Sequence, residues 1–413
     1  MKANYKKIGE QIQLVDERNK GLRVKQLLGL SISKQFIPSV ANIIGTDMEG
    51  YKIIRKNQFA CSTMQVRRDK KMPVALLQQV DEAIISQAYP VFEVKDKNEL
   101  LPEYLMMWFT RSEFDREACF HAVGGVRGSL EWEDFCNMKL PIPSIIKQKE
   151  IVKEYNVIQN RITLNQQLIK KLEETAQAIY KQWFIDFEFP DENGKSYKSS
   201  GGEMVESELG EIPLGWEVKS LFELINYKKG FAFKSENYKS SGVPVFRVSD
   251  FTDKSIDVTN CYYLDEFMAI ELEQYALNTN DIIMTTVGSW PDNPASIVGK
   301  VIIVPELAND GLLNQNSVRL RAKDIAKQLF IYYRLISKDY SEFVISGAQG
   351  SANQASVTLE YIFSFKIVVP NNVDKLLLAL NKMNENVLKT NTENHFLVKL
   401  KHLLLSKLAT IEN

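Results

Sequence analysis

The chain has 413 residues, of which 45% are hydrophobic and 25% charged, and its formal net charge is −1. That length allows two or more cores. The charge balance excludes a protein that grips nucleic acid through a general basic coat, leaving only local basic clusters or charge supplied by a partner subunit. No apolar run approaches the ~20 residues of a membrane span, and the N-terminal MKANYKKIGEQIQL lacks the apolar core of a secretion signal, so the expected location is the cytoplasm, without a membrane partner. Cys61, Cys119, Cys136 and Cys261 are scattered without C-x-x-C spacing, and the only histidines are His121, His395 and His402; the expectation is reduced thiols and no metal site.

Residues 1–145 carry mixed strand and helix signals and form the first expected domain. The runs YKIIRKNQFACSTM and EAIISQAYPVFEV read as strands. LPEYLMMWFTRSEF reads as one helix with its aromatics turned inward, and GGVRGSL as a turn. From Gln148 the pattern changes. Ile151, Tyr155, Ile158, Ile162, Asn165, Ile169, Leu172, Ala176 and Ile179 follow at spacings of four and three, a coiled-coil seam. This predicts a helix over 146–189, reaching about Trp183 and ~50 Å long at 1.5 Å per residue.

Residues 190–213, rich in Gly, Ser and charge, read as a linker. The second expected domain, 214–370, opens at GWEVKSLFELI. Strand signals return in GVPVFRVSDF, NDIIMTTVGSW and IVGKVIIVP, followed by a helix at LFIYYRLIS and a loop at GAQGSANQASV. A second seam fills 371–413: Val373, Leu376, Leu380, Met383, Val387, Thr390, Asn394, Leu397, Lys401, Leu404 and Leu408. Two long amphipathic helices most simply bury their stripes on each other. Antiparallel pairing would put the domains at opposite ends, with Asn165 and Asn394 fixing register at a cost in stability.

The order of elements therefore occurs twice. Placing Pro143 on Pro370 is a shift of 227 residues and also sets Glu133 on Glu360, while NQFACSTM at 57–64 answers NDIIMTTV at 280–287 at a slightly smaller shift. A period near half the chain means two copies of one unit, too long for a solenoid repeat. The expected class is α+β: two globular recognition domains separated by two long antiparallel coiled-coil helices, with pseudo-two-fold internal symmetry.

Catalytic patterns are weak. Gly194-Lys195-Ser196 has Phe189 where a phosphate loop needs its leading glycine, and Asp191 with Glu217-x-Lys219 falls in a linker and a domain-opening strand. G-x-S-x-G, H-E-x-x-H and D/N-P-P-Y/F do not occur. By elimination the chain is a binding subunit, with catalytic residues none and metal ligands none.

What remains are loops rich in groups suited to phosphates and base edges. In the first copy these are Thr63, Arg67, Arg68, Lys70, Lys71 and Arg127. In the second they are Lys228, Lys229, Lys234 and Ser235, then Ser289, Trp290, Asp292 and Asn293, then Gln349, Asn353 and Gln354. Arg matches guanine and Asn or Gln matches adenine through paired hydrogen bonds. Lys and Ser hold phosphates.

The segment LPIPSIIKQKEIVKEYNVIQNRITLNQQLIKKLEETAQAIYKQWFIDFEFP resembles the central spacer of specificity subunits of type I restriction-modification systems, and GEIPLGWEVKSLFELI with GFAFKSENY resembles the start of their second target recognition domain. The likeness covers the whole chain. It implies a subunit that binds a split double-stranded DNA site, each domain reading one half in the major groove, with the paired helices as a ruler. It also implies two modification subunits that bring S-adenosylmethionine and methylate adenine, and motor-nuclease restriction subunits using ATP and Mg. This chain would itself hold no cofactor. Recognition domains vary among members, so no target sequence is implied. The second spacer helix departs from the family in lacking its usual Gln-Ile start. Two other readings are a specificity chain of a related type II system and a coiled-coil scaffold that does not bind DNA.

Overall fold

The computed structural model describes residues 5–39, 46–125, 128–290, 298–351, 354–371 and 374–410. The chain forms two compact units, one of residues 1–163 with 395–413 and the other of residues 164–394. Both long helices therefore contribute to both units.

In the first unit the short strand Tyr5–Lys7 pairs antiparallel with Lys139–Pro141. Beside it stands a four-stranded antiparallel sheet in the order Ile12–Val15, Val91–Val94, Phe59–Cys61, Val74–Leu76. Phe59, Phe92, Phe109, Phe114 and Phe135 are fully buried against this sheet. Phe59 and Phe92 stack at 5.0 Å, and Phe109 meets Phe59 edge-on at 5.8 Å. Each ring removes a large apolar area from water, and the edge and offset contacts add about 0.5–1.5 kcal/mol per pair.

The second unit repeats this construction. Glu217–Ser220 pairs with Lys366–Val369, and the four-stranded sheet runs Ile225–Lys229, Ser317–Ala322, Ile282–Thr285, Val301–Ile303. The order and antiparallel sense match the first sheet strand for strand. The expected alignment of 57–64 with 280–287 holds in space: Phe59–Cys61 and Ile282–Thr285 are both third in their sheets. Asn57 and Asn280 both stand at φ 70°, a left-handed turn that Asn tolerates, immediately before those strands.

Several expected elements are subdivided. YKIIRKNQFACSTM makes two strands, Lys52–Arg55 and Phe59–Cys61, because the left-handed Asn57 turns the chain between them. EAIISQAYPVFEV likewise splits into Glu82–Ile85 and Val91–Val94. The single helix expected at LPEYLMMWFTRSEF is two, Pro102–Thr110 and Ser112–His121, broken at the extended Arg111. The GAQGSANQASV loop contains a hairpin of Gln349–Ser351 and Gln354–Ser356. The segment expected as a linker holds a second hairpin, Met204–Ser207 with Gly210–Pro213, and is anchored by Phe189, which stacks on Tyr197 at 4.6 Å and Trp216 at 5.0 Å.

Both long helices form, at Ile145–Tyr180 and Asp374–Lys407; the first ends in a π-type turn at Lys181–Ile185. Their pairing is antiparallel. In the first unit Lys401 Nζ donates to Gln159 Oε1 at 3.1 Å, while Ile151 shares a core with Leu405 and Leu408. In the second, Asn165 Nδ2 donates to Asn394 Oδ1 at 3.0 Å, while Ala176 and Tyr180 share a core with Leu377 and Leu380. Asn165 is buried, as the register role requires. Ile151, Ile162, Leu380 and Val387 are buried seam positions, and Ile158, Ile169, Leu172, Leu397 and Leu404 are partly buried. The stripe is wider than the predicted seam. Leu377 and Leu405 are more deeply buried than their neighbours Leu376 and Leu404 because the helices also pack on their units. Val373 lies outside the described residues.

Candidate nucleic-acid interface

The strand registers bring most of the predicted site residues to one edge of each sheet. In the first unit Val15 pairs with Val91, Ala60 with Val91, and Cys61 with Val74, so the ends of these strands lie in one row. From that row the chain leaves as Ser62–Lys71. In the second unit Lys229 pairs with Val318, Thr285 with Ser317 and Met284 with Val301, which makes the corresponding row. From it the chain leaves as Thr286–Trp290.

At the first edge, Thr63 accepts a backbone hydrogen bond from Leu130 at 2.9 Å, tying the segment to the Gly-rich loop. The short helix Val66–Asp69 follows, flanked by Gln65 and Lys70 in the left-handed conformation. Arg67 donates from its guanidinium to the carbonyls of Ala122 at 2.6 Å and Gly124 at 3.1 Å. Arg68 is exposed and forks onto Asp69 at 2.7 Å; this contact raises its pKa. Lys70 and Lys71 are exposed and have no hydrogen-bond or ion-pair partner among the described residues. Arg127 lies outside those residues.

At the second edge, the strand Val287–Gly288 adds to the Gln349–Ser356 hairpin to make a three-stranded sheet. This joins two clusters that are about sixty residues apart in sequence. Trp290 Nε1 donates to the Ser351 carbonyl at 2.8 Å. Ser289 is buried, whereas Gln349 and Gln354 are exposed on the hairpin. Lys229 is exposed at the end of its strand, and Lys234 and Ser235 are exposed in the loop beyond, with Lys234 3.7 Å from Glu236. Lys228 Nζ bonds Gln274 and sits 4.9 Å from the centre of the Tyr275 ring. Asp292, Asn293 and Asn353 lie outside the described residues.

Reading by charge and amide content passes over two features of the first edge. Met64, Phe120 and Val123 are exposed apolar side chains on segments bordering the loop; apolar residues beside a Gly-rich turn and out of any helical or strand period were the available signal. The second is a buried ion pair. Lys34 Nζ meets Asp115 Oδ1 at 2.8 Å, and Asp115 also accepts from the Met72 backbone at 3.0 Å, which fixes the end of the basic segment to the helix Ser112–His121. Nothing in the local sequence joins residues so far apart. Among the described residues no three His, Cys, Asp or Glu side chains gather as a metal site, and no helix is long and apolar enough to cross a membrane.

The architecture defines a duplicated α+β protein: one sheet topology used twice, each copy flanked by long helices and presenting cationic or amide side chains from the same sheet edge. Residues 51–174 and 213–375, well over half of the chain, match the type I restriction modification DNA specificity domain, and the chain belongs to that family of type I restriction-modification specificity subunits. It is 27% identical over 250 residues to the type I restriction enzyme MjaVIII specificity subunit of Methanocaldococcus jannaschii, covering 59% of this chain and 54% of that one. It is 20% identical to the HindI specificity subunit of Haemophilus influenzae over 89% of both chains. The match thus spans about half the length of the first relative and most of the second. The crystal structure of the type I system S subunit from M. genitalium covers 100% of this chain and 97% of its own, with a TM-score of 0.56 at 14% identity, which shows a shared fold.

Proposed function

We propose that this chain is the DNA-reading subunit of a type I restriction-modification complex, that its two units each read one half of a bipartite duplex, and that the reading is done from the two corresponding sheet edges. The observation that carries this is the recurrence of one edge in both copies, furnished with Lys70 and Lys71 in one and Lys229, Gln349 and Gln354 in the other. Lysines suit phosphates, which position a protein on DNA; amides suit the paired donor and acceptor of adenine in the major groove. In this reading catalysis belongs to partners. Two modification subunits supply S-adenosylmethionine and methylate adenine, and restriction subunits supply ATP- and Mg-dependent translocation and cleavage. The paired helices set the number of unread base pairs.

Sequencing of methylated adenines in a host with and without this gene tests the reading. One bipartite motif should lose its methylation when the gene is removed, and the purified chain alone should transfer no methyl groups. Methyl transfer by the isolated chain, or an unchanged pattern of methylation, would refute it. The ruler is tested by inserting one heptad after Asn165 and a matching one near Asn394. This adds ~10 Å of helix, or about three base pairs of unread spacer at ~3.4 Å per pair, when duplexes are selected from a library of spacer lengths. Selection of the parental spacer would show that the helices do not set it.

A further inference from the structure

Arg67 and Trp290 differ in every chemical respect except that each carries an N–H donor, yet each stands four residues beyond a threonine that does the same job in its copy. Thr63 accepts the backbone N–H of Leu130 at 2.9 Å, and Thr286 accepts that of Val357 at 3.0 Å. From there Arg67 donates to the Ala122 and Gly124 carbonyls, and Trp290 donates to the Ser351 carbonyl. In both copies these acceptors are on the arm that follows a helix, Ser112–His121 in the first and Lys338–Gly347 in the second, and the Thr-bonded residue is on the returning arm. The loop is thus held twice by the same outgoing segment, once by backbone and once by side chain. The first copy adds steric closure: a Cβ at Gly128 would lie 2.6 Å from Arg67 Cβ, so the glycine there permits the approach.

We propose that Arg67 and Trp290 are one structural position, a strut that holds the described arms of each unit's loop in place for duplex binding, and that neither reads a base. This rests on the chain being a duplex-binding subunit. The two carbonyls hold the guanidinium back on its own loop, and a loop ordered before binding spares the complex the entropy of ordering it.

Amide hydrogen exchange on the free chain, together with duplex selection by the chain assembled with its modification subunits, tests this. R67A should speed exchange at Ser129 and Leu130 and leave Val357 slow; W290F, which keeps the ring and removes the donor, should do the reverse. R67K, able to reach one carbonyl, should fall between wild type and R67A, which separates strut loss from misfolding. R67A should weaken binding about tenfold or more, the scale of losing hydrogen bonds from a charged donor, with every base preference of the first half-site unchanged. Unchanged exchange, unchanged affinity, or a preference relaxed at a single base would overturn the strut. If wild type selects no bipartite duplex while exchange shifts as described, the failure lies in the duplex reading, and the strut is structural only.

Discussion

The two units share a backbone plan far more closely than the side chains that fill it. Ser62 N–H donates to the Pro73 carbonyl at 2.9 Å where Thr285 donates to Lys300 at 3.0 Å, and Leu77 donates to Gln58 at 2.9 Å where Val304 donates to Asp281 at 2.9 Å. The core behind these bonds is a cluster of phenylalanines in the first unit, whereas Ile282, Met284, Val318 and Leu320 line the equivalent sheet in the second. The edges differ as much: a short cationic helix in one, an amide-bearing hairpin in the other. Backbone pairing tolerates any side chain that fits the face, so a duplicated sheet can diverge freely wherever a side chain meets solvent or a ligand.

The largest effect that would break this comparison is in the cores. Phe92 and Leu320 occupy matching places, since each faces the start of the third strand of its sheet, at Phe59 and Ile282. Both are fully buried. F92A should cost about 3–5 kcal/mol and L320A about 2–5 kcal/mol, with F92A the more damaging because it also removes contacts to Phe109, Trp132 and Phe135. Denaturant unfolding of both variants measures this, and equal costs would mean that neither the larger volume of Phe92 nor its ring contacts adds to stability. F92A should also abolish recognition of the first half-site while the second is still selected.

The edges come next. Replacing Gln349 and Gln354 by Ala should relax preference within the second half-site by about 1–3 kcal/mol for each lost paired contact. A uniform loss across all duplexes would show that they hold phosphates instead. Replacing Lys70 and Lys71 by Ala should weaken binding evenly across sequences and lower the salt dependence of log K by about 0.9 per phosphate contact. Titration at several salt concentrations decides this, and an unchanged slope would place both lysines away from the duplex.

Much of this plan was legible in the chain. The duplication, both long helices and the polar positions Asn165 and Asn394 within them follow from period and spacing, because a seam repeats over many residues and survives local exceptions. The breaks within expected elements were not. Arg111 and Asn57 end elements through a single backbone conformation, which leaves no periodic trace. At the candidate site, the sequence pointed to segments that the structure gathers at the sheet edges, but not to the contacts each side chain makes. Arg67 and Lys70 look alike in the sequence, and only the loop closing across Gly128 separates a clamped guanidinium from an ammonium that has no partner among the described residues. The union of Trp290 with the Gln349–Ser356 hairpin was hidden because it depends on strand pairing between distant segments.

The smallest effect lies in the helix pair, at a seam position occupied by Lys401, where a polar layer differs from the Asn165–Asn394 layer in carrying charge. Lys401 is partly buried with Gln159 as hydrogen-bond partner, and desolvation lowers its pKa below the ordinary 10.5. The folded state therefore binds this proton less tightly than the unfolded chain does. Its cost is fully present below the folded pKa and is relieved as pH rises from that value toward 10.5. K401M keeps the aliphatic stem and removes the charge, so it should raise the midpoint of thermal unfolding by a few degrees, on the order expected for ~1 kcal/mol in a unit of this size. The advantage should be constant from acid to neutral pH and shrink in the alkaline range as wild-type Lys401 gives up its proton. Thermal scans of both proteins across pH give the difference directly. A lower midpoint for K401M at neutral pH would mean that the Gln159 bond outweighs desolvation, and that this charged layer stabilises the pair.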